Sequence, residues 1–224
     1  PPSPAPDPCA EGLARYRTGD AEGAAASFEA AAAAFPEDPR PPYLHGLLRF
    51  RQKRYGEAAA RFRASADRAP GEDCLIKLAM AQGELRDLPG CLATLQEAAR
   101  LLPASASVRA HLGTTLRTLG RLEEALEAYE TALALDRGHV PALWGLGLAL
   151  GMAGRLETGM ETLRRAIALD PAFPPPHFHL GVLAWAAGDR AEARTREARL
   201  RGLAPSYADR LLQIMNEEDA HDRA

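Results

Sequence analysis

Three stretches of the chain align without a gap: LGTTLRTLGRLEEALEAYETALALD (Leu112–Asp136), LGLALGMAGRLETGMETLRRAIALD (Leu146–Asp170) and LGVLAWAAGDRAEARTREARLRGLA (Leu180–Ala204). Each starts 34 residues after the one before it. The interval continues outside them: Pro36 and Pro70 are 34 residues apart, as are Pro171 and Pro205, and Gly120, Gly154 and Gly188 recur at the same spacing. A fixed period of this length marks a repeat architecture, in which no unit buries its apolar face alone and stacked neighbours share a core. Six units fit, near 5–38, 39–71, 72–105, 106–139, 140–173 and 174–207, with a one-residue deletion at the junction before the third.

The residue types at fixed positions supply a physical reason for the alignment. Each unit reads as two antiparallel helices joined by a short turn, and only small side chains fit where two helices approach closely. The first such position holds Gly12, Gly46, Ala79, Gly113, Gly147 and Gly181, and the second holds Ala24, Ala58, Cys91, Ala125, Gly159 and Ala193. The third holds Ala31, Ser65, Ala98, Ala132, Ala166 and, as the one large residue, Leu200. Between them stand the packing knobs Phe28, Phe62, Leu95, Tyr129 and Leu163, which fill the gap to the next helix. Gly19, Gly120, Gly154 and Gly188 fall where a first helix ends, a place for a left-handed cap. Pro36, Pro70, Pro103, Pro171 and Pro205 fall where a second helix must stop, and the fourth unit has Arg137 there instead.

This pattern of Leu-Gly, a bulky residue, a Gly turn, a small residue, an aromatic, another Ala and a closing Pro resembles the tetratricopeptide repeat over about 200 of the 224 residues. The resemblance implies an all-α fold: a right-handed superhelical solenoid of six helix-turn-helix repeats, with the first helix of each pair lining a concave groove. Both ends read as caps. Pro8, Glu11 and Arg15 occupy sites that are apolar in inner units, and Glu197 replaces the last knob within reach of Arg201. Beyond Pro205, Tyr207, Leu211, Leu212 and Met215 recur at helical spacing. The expected organisation is a Pro-rich arm at 1–7, repeats over 8–207, a capping helix at 208–216 and a flexible tail at 217–224.

Composition narrows the function. The formal net charge is −3, which gives no electrostatic reason for a nucleic-acid partner or an anionic membrane surface. The chain has 46 Ala, 25 Arg, 2 Lys and a single Asn, Asn216. The Ala content favours helix, and the Arg-over-Lys bias reads as the codon habit of a high-GC genome. Cys9, Cys74 and Cys91 are odd in number and irregular in spacing, so they form no disulfide framework. The charge-free segments Gly138–Gly154 and Pro171–Gly188 are shorter than the ~20 apolar residues of a spanning helix, so no membrane insertion is expected. The chain opens on Pro-Pro-Ser-Pro-Ala-Pro-Asp-Pro, an extended spacer or a disordered end.

Three positions of each first helix, at i, i+4 and i+7, point into the groove that the resemblance implies. They hold Leu13 and Tyr16; Tyr43, Leu47 and Phe50; Ile76 and Met80; Trp144 and Leu148; and Phe178, Val182 and Trp185. The fourth unit departs from this with Ala110, Thr114 and Arg117. The expected partner is a protein or peptide with an apolar face, bound by Tyr16, Tyr43, Leu47, Phe50, Met80, Arg117, Trp144, Leu148, Phe178, Val182 and Trp185. The competing reading is that neighbouring repeats bury these rings or that the chain's own ends fill the groove. The polar grooves of this family, a Lys/Asn/Arg carboxylate clamp and an Asn ladder, find no matching residues here.

No catalytic motif is present, so no enzyme activity and no cofactor are expected. His177 and His179 diverge by roughly 200° on a helix and do not converge on a metal. Gly145, Gly147 and Gly151 have the wrong spacing for a phosphate loop. The run Arg190, Arg194, Arg196, Arg199 and Arg201, interleaved with Glu192 and Glu197, reads as a solvated face. A non-enzymatic scaffold that assembles a protein complex is the leading expectation. The adaptor domain of a larger enzyme and a self-associating homo-oligomer remain open alternatives.

Overall fold

The computed structural model describes residues 7–221, with side chains through Glu217. Residues 1–6 of the expected Pro-rich arm and residues 222–224 of the expected tail lie outside the described residues. Among the described residues every regular element is an α-helix. The fold is an all-α helical-repeat solenoid, and its backbone divides into two compact units, residues 1–103 and 104–224.

Unit 1 holds three helix pairs: α1 (Ala10–Arg17) with α2 (Ala21–Ala34), α3 (Arg40–Arg51) with α4 (Tyr55–Arg68), and α5 (Glu72–Glu84) with α6 (Leu88–Leu101). Unit 2 holds α7 (Ala106–Thr118) with α8 (Leu122–Leu135), α9 (Val140–Met152) with α10 (Leu156–Leu169), α11 (Pro174–Ala186) with α12 (Arg190–Leu203), and the last helix α13 (Pro205–His221). Within each unit a helix packs on its pair and on the next helix in the chain.

The turn inside each pair needs a residue at positive φ. Gly19, Gly120, Gly154 and Gly188 supply it at φ 85°, 75°, 77° and 84°. Lys53 and Arg86 hold the equivalent place in the second and third pairs at φ 60°, where a side chain costs about 1 kcal/mol that glycine avoids. The second helices then start on a cap: Asp20, Asp87 and Asp189 each accept a backbone N–H three residues on. Arg54 and Arg121 replace the cap and instead bind Glu57 and Glu124 in the first helical turn at 2.7 and 2.6 Å.

The knobs are the largest fully buried side chains, including Phe62, Leu95, Tyr129 and Leu163. Phe62, Tyr129 and Leu163 sit where a facing residue lacks a side chain. A Cβ on Gly46 would lie 2.7 Å from the Phe62 ring, and one on Gly145 would lie 2.3 Å from Tyr129. The Tyr129 hydroxyl is not left bare in that core, because it shares a 3.0 Å hydrogen bond with Thr114.

The last helix differs from its expected bounds. It begins at Pro205, three residues before 208, and helix continues past Asn216 to His221, through the first part of the expected tail. Pro205 both stops α12 and opens α13, since a fixed φ and a missing N–H suit the first helical position. Ala208, Leu211 and Met215 are buried against the α11–α12 pair, and Tyr207 and Leu212 are half-buried beside them.

A polar network ties the first two pairs of unit 1. Arg49 is buried, donates to Glu22 of α2 at 2.7 and 3.1 Å and to Gln52 at 2.9 Å, and approaches Glu57 of α4 at 3.4 Å. Its Nε–H also donates to Nε2 of buried His45 at 3.2 Å. Burial, with Arg61 and Arg49 nearby, pushes the His45 pKa down to about 4, while Glu29 and Glu57 oppose the shift. The folded state therefore holds His45 neutral, whereas the unfolded chain protonates it below its ordinary value of 6.5. Stability from this group is complete above pH 6.5 and is lost as pH falls toward 4, by about 3 kcal/mol in all. We expect urea unfolding of the wild type to weaken over that window and the His45→Gln variant to show a flatter profile. Equal slopes in the two proteins would refute the assignment.

Candidate functional site

The first helices carry the residues expected to meet a partner, and the two units treat them differently. In unit 1 Tyr16 and Met80 are more than one-third exposed, and Tyr43, Leu47 and Phe50 are half-buried. Ile76, expected beside them, is buried. The half-buried rings lean on the core: Phe50 meets Tyr55 edge-on at 5.2 Å and Phe62 at 6.5 Å, and Tyr43 meets Phe62 at 5.8 Å. This packing holds the rings while each stays partly exposed.

Between α1 and α3 this face opens into a cavity of about 150 Å³. Leu13, Leu44, Leu47 and Leu48 line it together with Phe28, while Tyr16 and Arg51 stand at the exposed rim. Gly12 makes room for the Phe28 ring, since a Cβ there would lie 2.4 Å from it. The Arg51 guanidinium bonds the Tyr16 hydroxyl and lies over the Tyr16 ring, 5.7 Å from its centroid.

In unit 2 Trp144, Leu148, Val182 and Arg117 are half-buried. Trp144 is held edge-on to Phe173 at 5.9 Å and beside His179 at 5.8 Å. Its indole N–H lies 3.1 Å from His179 Nδ1, and the Pro175 carbonyl lies 2.8 Å from the same nitrogen. Only one of these is a hydrogen bond at a time: a bare Nδ1 accepts from the indole, and a protonated one donates to the carbonyl. Burial lowers the His179 pKa, the Pro175 bond opposes the shift, and the charges of Arg117 and Arg210 reinforce it. Nε of Arg117 is buried without a hydrogen-bond partner among the described residues.

Phe178 and Trp185 correct the sequence-based expectation, because both are buried. Phe178 packs on Tyr207 of α13 at 5.4 Å, with Arg210 over its ring. Trp185 lies in the core shared with α13, and the Arg190 guanidinium stacks 3.6 Å from its ring centroid. The last helix packs on α11 at this pair. The two neighbouring histidines are also separated. His177 is buried with Nε2 3.0 Å from the Pro171 carbonyl and Nδ1 3.4 Å from Arg196 of α12, whereas His179 faces Trp144.

Sequence reasoning found Leu13, Tyr16 and Leu47 but missed Arg51, Leu44 and Leu48 as companions around one cavity. Arg51 stands four residues after Leu47, on the same helical face, and that spacing was the available signal. Among the arginines on the last pair, Arg196 and Arg201 are neutralised by Glu192 and Glu197 at 3.2 and 2.6 Å.

A sequence profile described as tetratricopeptide repeat matches residues 9–73, 76–140 and 111–174. The chain belongs to the tetratricopeptide repeat family. TPR proteins act as protein–protein interaction scaffolds. No curated protein sequence matches this TPR chain. Among solved structures it is similar to a thermophilic TPR protein of Thermus thermophilus, with 21% identity, TM-score 0.67, and coverage of 78% of this chain and 97% of the other. It is similar to MamA from Desulfovibrio magneticus, with 20% identity, TM-score 0.61, and coverage of 71% and 91%. It is also similar to YrrB, a TPR protein with an unusual peptide-binding site, with 17% identity, TM-score 0.60, and coverage of 84% and 99%. At these identities the likeness establishes the shared TPR fold. No helix among the described residues is long and apolar enough to cross a membrane.

Proposed function

We propose that this TPR chain is a non-enzymatic scaffold that binds an apolar or amphipathic segment of another protein along its first helices and so supports assembly of a complex. The observation that carries the reading is the partly exposed aromatic and aliphatic row of unit 1, Tyr16, Tyr43, Leu47, Phe50 and Met80, in which Tyr43 and Phe50 pack on the buried knob Phe62. Rings fixed by packing lose little freedom on binding, so more of the buried area is expressed as affinity. A peptide-binding site is described for the similar YrrB, which agrees with this reading. In unit 2 the binding residues are Trp144, Leu148, Val182 and Arg117. Phe178 and Trp185 are excluded by their burial.

The test is affinity capture with the full chain as bait, followed by titration of the captured partner. Trp144→Ala, measured at a temperature where the variant remains folded, is expected to weaken binding by roughly 2 kcal/mol. Unchanged affinity in that variant and in Tyr43→Ala would sink the groove reading.

A further inference from the structure

The cavity between α1 and α3 has a size and lining that specify what enters it. Its volume is about 150 Å³ and its lining is leucine and phenylalanine. A pocket of that volume has room for a benzene-sized guest, and Tyr16 and Arg51 at its mouth leave it open to one. Filling it with one ring removes apolar surface on both partners from water, which is the main source of affinity at such sites.

Charge at the rim adds a second requirement. In unit 1 Arg15, Arg40, Arg49, Arg54, Arg61 and Arg63 pair with carboxylates, whereas Arg68 donates to the backbone carbonyls of Asp38 and Ala32. Arg51 at the rim instead bonds the Tyr16 phenol and lies over its ring. A guanidinium held by a neutral hydroxyl retains its full charge and further N–H donors for an incoming anion. Because the cavity and the cation share one rim, a guest with an apolar ring and a nearby carboxylate satisfies both at once.

We infer that this cavity is the anchor pocket for a partner segment in which a phenylalanine is followed by an acidic residue, the ring entering among Leu13, Leu44, Leu47 and Leu48 and the carboxylate meeting Arg51. The inference rests on the scaffold reading and adds the chemistry of the segment recognised.

The probes are three capped dipeptides, N-acetyl-Phe-Glu-amide, N-acetyl-Phe-Gln-amide and N-acetyl-Ala-Glu-amide, titrated against the full chain while the methyl signals of Leu13, Leu44 and Leu47 are followed by NMR. Phe-Glu is expected to shift them saturably, Phe-Gln to bind about tenfold more weakly for want of a charge-assisted bond, and Ala-Glu to leave them unmoved. Leu47→Phe fills the cavity and should abolish binding. Arg51→Gln, a change at the exposed rim that leaves the core intact, should erase the preference for Glu over Gln. Equal binding of Ala-Glu and Phe-Glu, no methyl shifts at all, or a preference that survives Arg51→Gln overturns the inference. Binding that appears only after residues 1–6 are removed, or only on dilution, assigns the pocket to the chain itself or to a second copy and also overturns it. A captured partner that depends on Trp144 while no dipeptide binds would end this inference and leave the scaffold reading standing.

Discussion

Trp185→Ala is expected to lower the stability of unit 2 by about 3–5 kcal/mol, the cost of emptying a large aromatic site in a core that collapses only partly. The residue is 3% exposed and shares its cluster with Leu183, Leu211 and Met215. The loss falls on α13 as well as on α11, because the ring contributes to the surface on which the last helix lies. Two details sharpen the expectation. Arg190 covers the ring at 3.6 Å and donates to the Trp185 carbonyl at 2.9 Å, so an alanine would also leave that guanidinium without its aromatic face. The indole N–H is buried without a hydrogen-bond partner among the described residues, an unmet donor that phenylalanine lacks. Trp185→Phe is therefore expected to stay within about 1.5 kcal/mol of wild type. Denaturant unfolding read by amide exchange in α11 and α13 checks both. An alanine variant that keeps its stability but loses partner affinity would return Trp185 to the groove and overturn its assignment to the core.

That residue also marks where the sequence stops being informative. The 34-residue period, the small residues at close contacts and the glycines of the turns are local requirements, and each is legible in one dimension. Gly120, Gly154 and Gly188 sit at positive φ where the period places them. Lys53 and Arg86 take the same conformation without the local signal, because the flanking helices impose it. The face of the first helices is legible as an angle, which is why Tyr16, Leu47, Trp144 and Trp185 align equally well. Angle does not tell what lies opposite. Phe178 lies against Tyr207 of α13, and Trp185 is buried in the cluster that includes Leu211 and Met215 with Arg190 over its ring; no i, i+4, i+7 pattern within α11 encodes that.

The cavity and the polar network fail to show for the same reason. Phe28 comes from α2, Leu44, Leu47 and Arg51 come from α3 and Leu13 from α1, where Gly12 leaves room for the Phe28 ring. Arg49 and His45 look like a surface pair at i and i+4. They are buried, and Arg49 meets Glu22 and Glu57 from two other helices. The pattern along a helix fixes which side chains share a direction, and the neighbouring helices decide whether that direction ends in solvent, in a pocket or in the core. Unit 1 leaves its first-helix face partly open, and the last pair of unit 2 closes its own.

Gly147→Leu is expected to cost about 4 kcal/mol, above the common range for overpacking, and the reason lies in what the new side chain would strike. A Cβ at Gly147 would stand 2.7 Å from Leu163 Cγ and 3.0 Å from the backbone carbonyl oxygen of Gly159. Leu163 is a fully buried knob in a close-packed core, and a helical carbonyl cannot swing aside without breaking its own hydrogen bond. The same contact seen from α10 is equally tight, since a Cβ on Gly159 would meet the Gly147 carbonyl oxygen at 2.9 Å. The two glycines thus form one backbone-to-backbone approach, and relief requires α9 and α10 to separate. In a repeat array such a lesion opens the affected pair before its neighbours, so amides of α9 and α10 should lose exchange protection ahead of those in α11 and α12. Gly147→Ala should follow the same path with a smaller loss, as it adds the Cβ alone. If the leucine variant melts with the wild type, or loses protection evenly across unit 2, the close approach does not set the stability of this pair.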